Sequence, residues 1–146
     1  MGEREHRIVV GVDGSEPSMA ALRWAIRQAA LTGACVDAVA VWRYPTGYGW
    51  APSVTEIDFE GDAKRSLAEA LGAVGTLGPE VRVRPLVAEG QAAEVLLRAA
   101  TGADLLVVGS RGHGALTSPL LGSVSLNCVL HAHCPVLVLR GGHEGS

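Results

Sequence analysis

Short segments rich in β-branched residues alternate along this chain with longer segments of helical periodicity. Apolar runs recur five times, and between them apolar residues stand three and four positions apart. This alternation is typical of a parallel sheet whose strands are joined by crossover helices. The runs are continuous rather than alternating, which indicates strands covered on both faces. The predicted strands are Arg7–Val12, Cys35–Trp42, Val81–Val87, Asp104–Gly109 and Pro135–Leu139.

Four helices are predicted between these strands. Ser15 is a suitable N-cap for the first, and Thr32-Gly33 supplies its end. No linker-like segment or repeat divides the chain, so we expect one domain over residues 1–146. The other three helices are predicted over Glu56 to about Leu77, Gln91–Ala100 and Ser123 to about His131, with loops from Arg43 to about Val54 and from Ser110 to Leu121.

Composition and charge narrow the class of protein. The 146 residues carry a formal charge of −3, which disfavours binding to nucleic acid or to an anionic membrane surface. The three cysteines form no disulfide framework, and we find neither a signal peptide nor a run of 18 apolar residues. We therefore expect a cytoplasmic protein. The single lysine, Lys64, does not follow a glycine-rich loop, so a Walker A site is excluded.

Two glycine turns follow predicted strands at equivalent places. The first strand runs into Gly11-Val-Asp-Gly14 and the fourth into Gly109-Ser-Arg-Gly112. In doubly wound sheets, ligands bind outside the carboxyl ends of the strands where the strand order reverses. If the first and fourth strands are neighbours there, the two turns face one crevice.

A phosphate site that contains no lysine must use backbone amides and a helix N-terminus. The fourth predicted helix opens at Gly122, so the N–H groups of Ser123, Val124 and Ser125 could face phosphate oxygens, and the two serine hydroxyls could add donors. Gly109 would let the backbone approach such a ligand closely. Each element alone is commonly only a turn or an N-cap; the joint spacing Gly109-x2-Gly112-x9-Gly122-Ser123 is what suggests a site.

That spacing resembles the nucleotide-binding pattern of the universal stress protein family, and the resemblance extends over nearly the whole chain. It is carried by Ile8-Val-Val-Gly-Val-Asp-Gly-Ser15, Val87-Ala-Glu-Gly90, Ala103-Asp-Leu-Leu-Val-Val-Gly-Ser-Arg-Gly-His-Gly114 and Leu121-Gly-Ser-Val-Ser125 through Cys134-Pro-Val-Leu-Val-Leu139. The complete glycine pattern resembles the family's ATP-binding branch. The resemblance implies a five-stranded parallel sheet of order 3-2-1-4-5 between four helices, a Rossmann-like fold of the adenine nucleotide alpha hydrolase type. It also implies a homodimer paired through Val136 to Leu139.

The resemblance also implies roles for individual residues. Asp13 would lie near the ribose and phosphates, and a carboxylate there implies Mg²⁺; the alternative is an Asx-turn closing on Ser15. The main chain of Val41 would meet adenine. Backbone positions lining the pocket would be Gly11 and Val12, and the ribose-phosphate cradle would comprise Gly109, Gly112, Gly122, Ser123, Val124 and Ser125.

Four further features have candidate chemistry. Arg111 would either pair with a phosphate or be solvated, while His113 is expected to be solvent-exposed. The cluster of Cys128, His131, His133 and Cys134 has zinc-ligand types, yet convergence of a helix and the following turn on one metal is strained. The aromatic loop from Tyr44 to Trp50 is either a lid or partner surface, or packs on the sheet edge.

The leading functional hypothesis is a stress-response protein that binds ATP with Mg²⁺ and reports nucleotide state through its conformation or partners. No catalytic residue is identified in the sequence, and any hydrolysis should be slow. The alternatives are a slow ATPase or phosphotransferase on the same sheet, or an interaction module with a vestigial nucleotide site.

Overall fold

The chain forms a five-stranded parallel sheet in the order β3-β2-β1-β4-β5. The computed structural model describes residues 5–44, 58–111 and 121–141. The order runs outward in both directions from the β1–β4 pair, so the crossover connections change direction at that point. The strands are β1 (Arg7–Gly11), β2 (Cys35–Trp42), β3 (Val83–Glu89), β4 (Leu105–Gly109) and β5 (Val136–Leu139).

Helices cover both faces of the sheet. An apolar cluster lies between the sheet and the helices on each face. Helices α1 and α2 pack on one face, and α3 and α4 pack on the other. The five-stranded α/β fold with this strand order, predicted from the sequence, is confirmed. The helices are α1 (Glu16–Thr32), α2 (Phe59–Val74), α3 (Ala92–Ala99) and α4 (Ser123–His131), with a 3₁₀ turn at Gly75–Leu77 after α2.

The boundaries of α1 follow from its terminal residues. Ser15 Oγ accepts a hydrogen bond from Ser18 N at 3.3 Å, which caps the N-terminus. Gly33 follows the helix with φ of 81°, a left-handed conformation that glycine adopts without a β-carbon clash. Between these ends, Leu22, Ala25 and other small apolar residues are fully buried against the sheet. The predicted cap and stop of this helix are both confirmed.

The third strand lies two residues later than predicted. The alternating sequence from Val81 suggested a strand over Val81–Val87, but Val81 N donates to Gly78 O at 3.0 Å and is therefore part of a turn. Pairing with β2 then continues to Trp42 opposite Glu89. Being an edge strand, β3 accommodates Pro85, which has no N–H to donate.

The second helix is shorter than the predicted segment from Glu56 to Leu77. Asp58 caps it, with Oδ1 accepting from Gly61 N at 2.9 Å. Positions 56 and 57 lie outside the described residues, as does the aromatic loop except Tyr44. The Tyr44 ring makes edge contacts with Trp42 and Phe59 at centroid distances of 5.3 and 5.5 Å.

A buried ionic cluster stabilises the sheet near the amino-terminal ends of its strands. Asp37 in β2 is 4% exposed and accepts from Arg7 Nη1 at 3.1 Å and from Arg84 Nε at 2.7 Å. Arg7 also donates to the carbonyl of Ala99, the last residue of α3, at 2.8 Å and to that of Thr101 beyond the helix at 2.7 Å. The cluster thus joins three strands to the C-terminus of α3. None of the described helices is both long and apolar enough to cross a membrane.

Candidate functional site

A cavity of about 380 Å³ opens at the carboxyl ends of the central strands, where the strand order reverses. Its walls come from the ends of β1, β2 and β4, from α3, and from the first turn of α4. The predicted crevice between the two glycine turns is therefore present. Its lining residues are Gly11, Val12, Asp13, Ser18, Val39, Val41, Ala92, Leu96, Val108, Gly109, Arg111, Gly122, Ser123, Val124 and Ser125.

The structure brings together nearly the whole set of residues singled out from the sequence. Every predicted site residue that it describes lines this one cavity, including Val41 on β2 and the first turn of α4, which are far apart along the chain. Gly112 and His113 lie outside the described residues. The hydrogen-bonding groups and charges of these lining residues determine which ligand they could bind.

The Asp13 carboxylate is oriented by the start of α1. Its Oδ1 accepts from Ser15 N at 2.9 Å and from Ser15 Oγ at 2.5 Å, which forms the Asx-turn weighed as an alternative for this residue. The Asp13 main-chain N–H donates to Ser18 Oγ at 3.2 Å. The turn and a ligand role are compatible, because the same carboxylate lines the cavity.

The first turn of α4 is attached to the end of β4 through Ser110. The Ser110 carbonyl accepts from Gly122 N at 2.8 Å and from Ser125 Oγ at 2.9 Å, and Ser110 N donates to Leu139 O at 2.7 Å. Ser125 is 2% exposed, and its hydroxyl also lies 3.0 Å from Gly122 O. The Ser125 hydroxyl therefore contacts two main-chain carbonyls, which the sequence analysis did not predict, and its part as a phosphate donor stays a prediction.

Within the described part of the chain, no side chain caps the N-terminus of α4. Gly122 is its N-cap, whereas side-chain oxygens of Ser15, Asp58 and Gln91 cap the other three helices. Helix N-termini leave N–H groups without intrahelical partners and carry the positive end of the helix dipole. At α4 these groups belong to residues that line the cavity.

The glycines at the ends of β1 and β4 are required by different neighbours. A β-carbon on Gly109 would lie 2.7–2.8 Å from the carbonyl carbon and Cβ of Pro17 and from Ser18 N. Gly109 thus permits α1 to pack against β4, a reason for glycine that the sequence analysis did not give; its predicted close approach to a ligand stays a prediction. A β-carbon on Gly11 would instead meet Leu96 Cδ1 at 3.0 Å and press on the cavity wall.

The apolar wall of the cavity contains residues that the sequence analysis did not single out. Val39 lies two positions before Val41 on the same strand face, and Ala92 and Leu96 stand four apart on α3. Both spacings follow from strand and helix periodicity, so they could have been inferred once Val41 and the start of α3 were placed. Val108, by the same alternation, faces the cavity from β4.

Charge at the described cavity wall is limited to one acid and one base, Asp13 and Arg111. Among residues 5–44, 58–111 and 121–141, no three His, Cys, Asp or Glu side chains are arranged to hold a metal. In the cluster considered for zinc, Cys128 is fully buried, and burial, with a smaller contribution from Cys134, raises the pKa of its thiol to about 11. His131 at the end of the same helix is exposed.

Comparisons with known proteins agree on one family. The family model described as Universal stress protein family matches residues 5–140. Universal stress protein Rv2624c of Mycobacterium tuberculosis is 36% identical over 134 residues, which cover 91% of this chain and 47% of that protein. This chain therefore spans about half the length of the curated relatives it matches.

Solved structures show the same architecture. Universal stress protein UspA from Lactobacillus plantarum superimposes with a TM-score of 0.80 at 25% identity, covering 95% of this chain and 100% of that one. A universal stress protein in complex with cAMP superimposes with a TM-score of 0.70 at 26% identity, covering 94% and 98% of the two chains.

Proposed function

Because this chain belongs to the universal stress protein family, we propose that it binds ATP with Mg²⁺ and acts as a nucleotide-dependent regulator of the stress response. The observation that carries the proposal is the N-terminus of α4, which no described side chain caps and which opens into a cavity with an apolar wall. A nucleotide has the matching character, with an anionic end and a flat, largely apolar base.

The phosphates would bind at the α4 end of the cavity. The N–H groups of Ser123, Val124 and Ser125 are in the first turn of that helix, and Arg111 adds a positive charge on the same wall. Attraction to one helix terminus is about 0.3–1 kcal/mol per exposed charge, so phosphate binding needs several of these donors together. Ser110 holds Gly122 and Ser125 in position for this purpose.

The base would lie against the apolar wall formed by Val39, Val41, Leu96 and Val108. Aromatic ligand groups typically bind between such apolar side chains, with a few polar groups fixing their orientation. Adenine is supported by the similar universal stress protein whose structure contains cAMP, and by the place of Val41 at the end of β2. The triphosphate is our inference from the donors at α4.

Mg²⁺ fits the carboxylate of Asp13. In nucleotide sites this ion is commonly held by one or two carboxylates together with phosphate oxygens, and it neutralises part of the phosphate charge. Asp13 lies on the cavity wall, and its Oδ1 is fixed by the two hydrogen bonds from Ser15. Without a cation, this carboxylate would repel a polyphosphate.

We propose regulation rather than rapid turnover. The charged groups at the described cavity wall are a carboxylate already bonded to Ser15 and one guanidinium, which is not the pairing of base and nucleophile that fast catalysis needs. Nucleotide binding would instead be reported through α4, because Ser110 connects the start of α4 with Leu139 of β5.

The open edge of β5 supports a homodimer through Val136 to Leu139. Among residues 5–44, 58–111 and 121–141, this strand lies at the end of the sheet and pairs on one side with β4, so no described segment pairs with the backbone groups on its other side. Self-pairing of two such edges is a common solution in symmetric dimers.

One flank of α4 extends that surface. Val124 and Asn127 face α3, with which they line a shared cavity, so helical periodicity places Leu126, Val129 and Leu130 on the other flank, towards β5. Leu126, Val129 and Leu130 are 45, 46 and 65% exposed. We propose that a second copy covers this flank, and that the protein resides in the reducing cytoplasm, where its three free thiols are stable.

The test of binding begins with freshly purified protein. It is denatured, any released nucleotide is identified by chromatography and mass, and the stripped protein is titrated with ATP in the presence and absence of Mg²⁺. The proposal predicts one site per chain at micromolar ATP, with binding weakened when Mg²⁺ is removed. If the purified protein retains no nucleotide and the stripped protein also binds no ATP, the proposal is wrong.

A further inference from the structure

A second cavity, of about 280 Å³, adjoins the first at the carboxyl end of β2. The two cavities have four lining residues in common, Val41, Ala92, Ser123 and Val124. Both therefore meet at the start of α3 and at the first turn of α4. A mononucleotide seated as proposed above, with its base on Val39 and Leu96 and its phosphates at α4, accounts for the first cavity and leaves the second to another group.

Polar side chains at the second cavity belong to types that recognise nucleobases. Arg43 follows β2, Gln91 precedes α3, and Asn127 lies on α4, and none of the three lines the first cavity. Side-chain amides match the donor and acceptor edge of adenine, and guanidinium groups stack on base planes. Small or branched apolar residues, Ala92 and Ala93 among them, form the wall between these groups.

Hydrogen bonds already orient two of these side chains. Gln91 Oε1 caps α3 by accepting from Glu94 N at 2.9 Å, which leaves its amide nitrogen as a donor. Asn127 Nδ2 donates to Ser123 O at 2.9 Å, which leaves its side-chain oxygen as an acceptor. Gln91 thus offers a donor at the start of α3, and Asn127 offers an acceptor on α4. A base edge carries the complementary acceptor and donor.

Phosphate donors lie at the boundary between the cavities. Ser123 and Val124, in the first turn of α4, line both. A phosphate chain bound at these N–H groups can therefore carry one nucleoside into the first cavity and another into the second. Arg43, which also lines the second cavity, adds positive charge for the same chain.

We propose that the second cavity is a subsite for a second nucleoside, so that this protein binds dinucleoside polyphosphates more tightly than mononucleotides. This inference rests on the proposed function, because it uses the same phosphate donors of α4. It adds a ligand class and assigns Arg43, Gln91 and Asn127 to its recognition.

The test compares the binding of ATP and of diadenosine tetraphosphate to the full chain by calorimetry, with Mg²⁺ present. We expect diadenosine tetraphosphate to bind at least about tenfold more tightly, which corresponds to about 1.4 kcal/mol. Asn127→Trp would fill the second cavity, and Arg43→Glu would reverse its charge. Each should remove most of the preference while changing ATP affinity less than about twofold.

Two matched controls separate this effect from general damage. Leu31→Trp places the same side chain at an exposed position near the end of α1, and Arg27→Glu makes the same charge change at an exposed position of the same helix. Both controls should keep the preference. Thermal unfolding establishes that each variant is folded. If Asn127→Trp does not fold, Arg43→Glu alone tests the inference, because position 43 is exposed and lies after β2.

The outcomes distinguish the inference from the proposed function. Equal affinity of the unmodified protein for the two ligands would overturn the second subsite. Equal loss of affinity for both ligands in Asn127→Trp and Arg43→Glu would also overturn it. Neither result would contradict the proposed ATP site, provided that the unmodified protein binds ATP. Binding of neither ligand by the unmodified protein would overturn the nucleotide site itself, and the second subsite with it.

Discussion

Gly109 packs so closely on Pro17 that a β-carbon at position 109 would lie 2.8 Å from Pro17 Cβ. The first glycine of the Gly109-x2-Gly112-x9-Gly122 spacing is thus needed where β4 meets the N-terminus of α1. That N-terminus carries the Ser15 and Ser18 hydrogen bonds that orient Asp13. Helix packing and the geometry of the cavity therefore depend on the same glycine.

Substitution of Gly109 by alanine should destabilise the fold, since the neighbouring atoms at 2.7–2.8 Å include main-chain atoms of α1 that cannot move aside easily. We expect a loss of about 1–3 kcal/mol in the free energy of unfolding, measured by chemical denaturation. Gly72→Ala is the matched control, because nothing lies within 4 Å of a β-carbon at this helical position. It should stabilise by about 0.5–1 kcal/mol. A neutral Gly109→Ala would contradict the packing described here.

Replacement of Ser125 by alanine should loosen the start of α4. The hydroxyl is buried and donates to Ser110 O, so its removal should cost about 0.5–1.5 kcal/mol of stability. ATP affinity should also fall several-fold. Ser123→Ala, at an exposed neighbouring position, should leave stability nearly unchanged. Equal stability of the two variants would show that the Ser125 bond does not hold the helix.

The stability of the protein should fall at alkaline pH because of Cys128. Burial raises the pKa of this thiol to about 11 from an ordinary value of 9.0, so the unfolded chain ionises first. This contribution is fully present below about pH 8 and is lost as the pH rises from 9 towards 11. Unfolding free energies measured between pH 7 and 11 should decline less steeply in Cys128→Ala. Identical slopes in the two proteins would contradict this cause.

Introduction of a charge on the exposed flank of α4 should disrupt the proposed dimer. Leu130 is 65% exposed, so Leu130→Lys should fold normally and should sediment as a monomer where the unmodified protein sediments as a dimer. Leu31→Lys, at an 82% exposed position near the end of α1, is the matched control and should remain dimeric. A dimer that survives Leu130→Lys would place the interface elsewhere.

Periodicity and end signals in the sequence were sufficient for most of the strands and helices, whereas the strand order came from the family resemblance. Strand β2 was predicted with its bounds, and Ser15 and Gly33 marked the ends of α1. The shift of β3 was not foreseeable from the pattern, because Val81-Arg-Val-Arg84 alternates like a strand and only the Gly78–Val81 turn removes its first residues. The partners of Asp37 were equally hidden, since Arg7 and Arg84 lie 30 and 47 positions away.

Prediction of the site depended on the spacing of glycines and serines and on resemblance. Those signals identified the positions that line the cavity, but they could not assign each residue its contacts. Gly109 also accommodates Pro17, and the Ser125 hydroxyl bonds to Ser110, two contacts that the pattern did not indicate. Such assignments require the relative position of elements that are distant in the chain.

The most direct test of the nucleotide site uses Ser123, the first residue of α4. Ser123→Glu places a carboxylate in the first turn, where it should favour the helix dipole by about 0.3–1 kcal/mol yet repel phosphate. Ser123→Gln is the uncharged control. Calorimetric titration with ATP and Mg²⁺ should show about tenfold or greater loss of affinity in the Glu variant relative to the Gln variant, with unfolding stability equal or higher. Equal ATP affinity in the two variants would contradict phosphate binding at the N-terminus of α4.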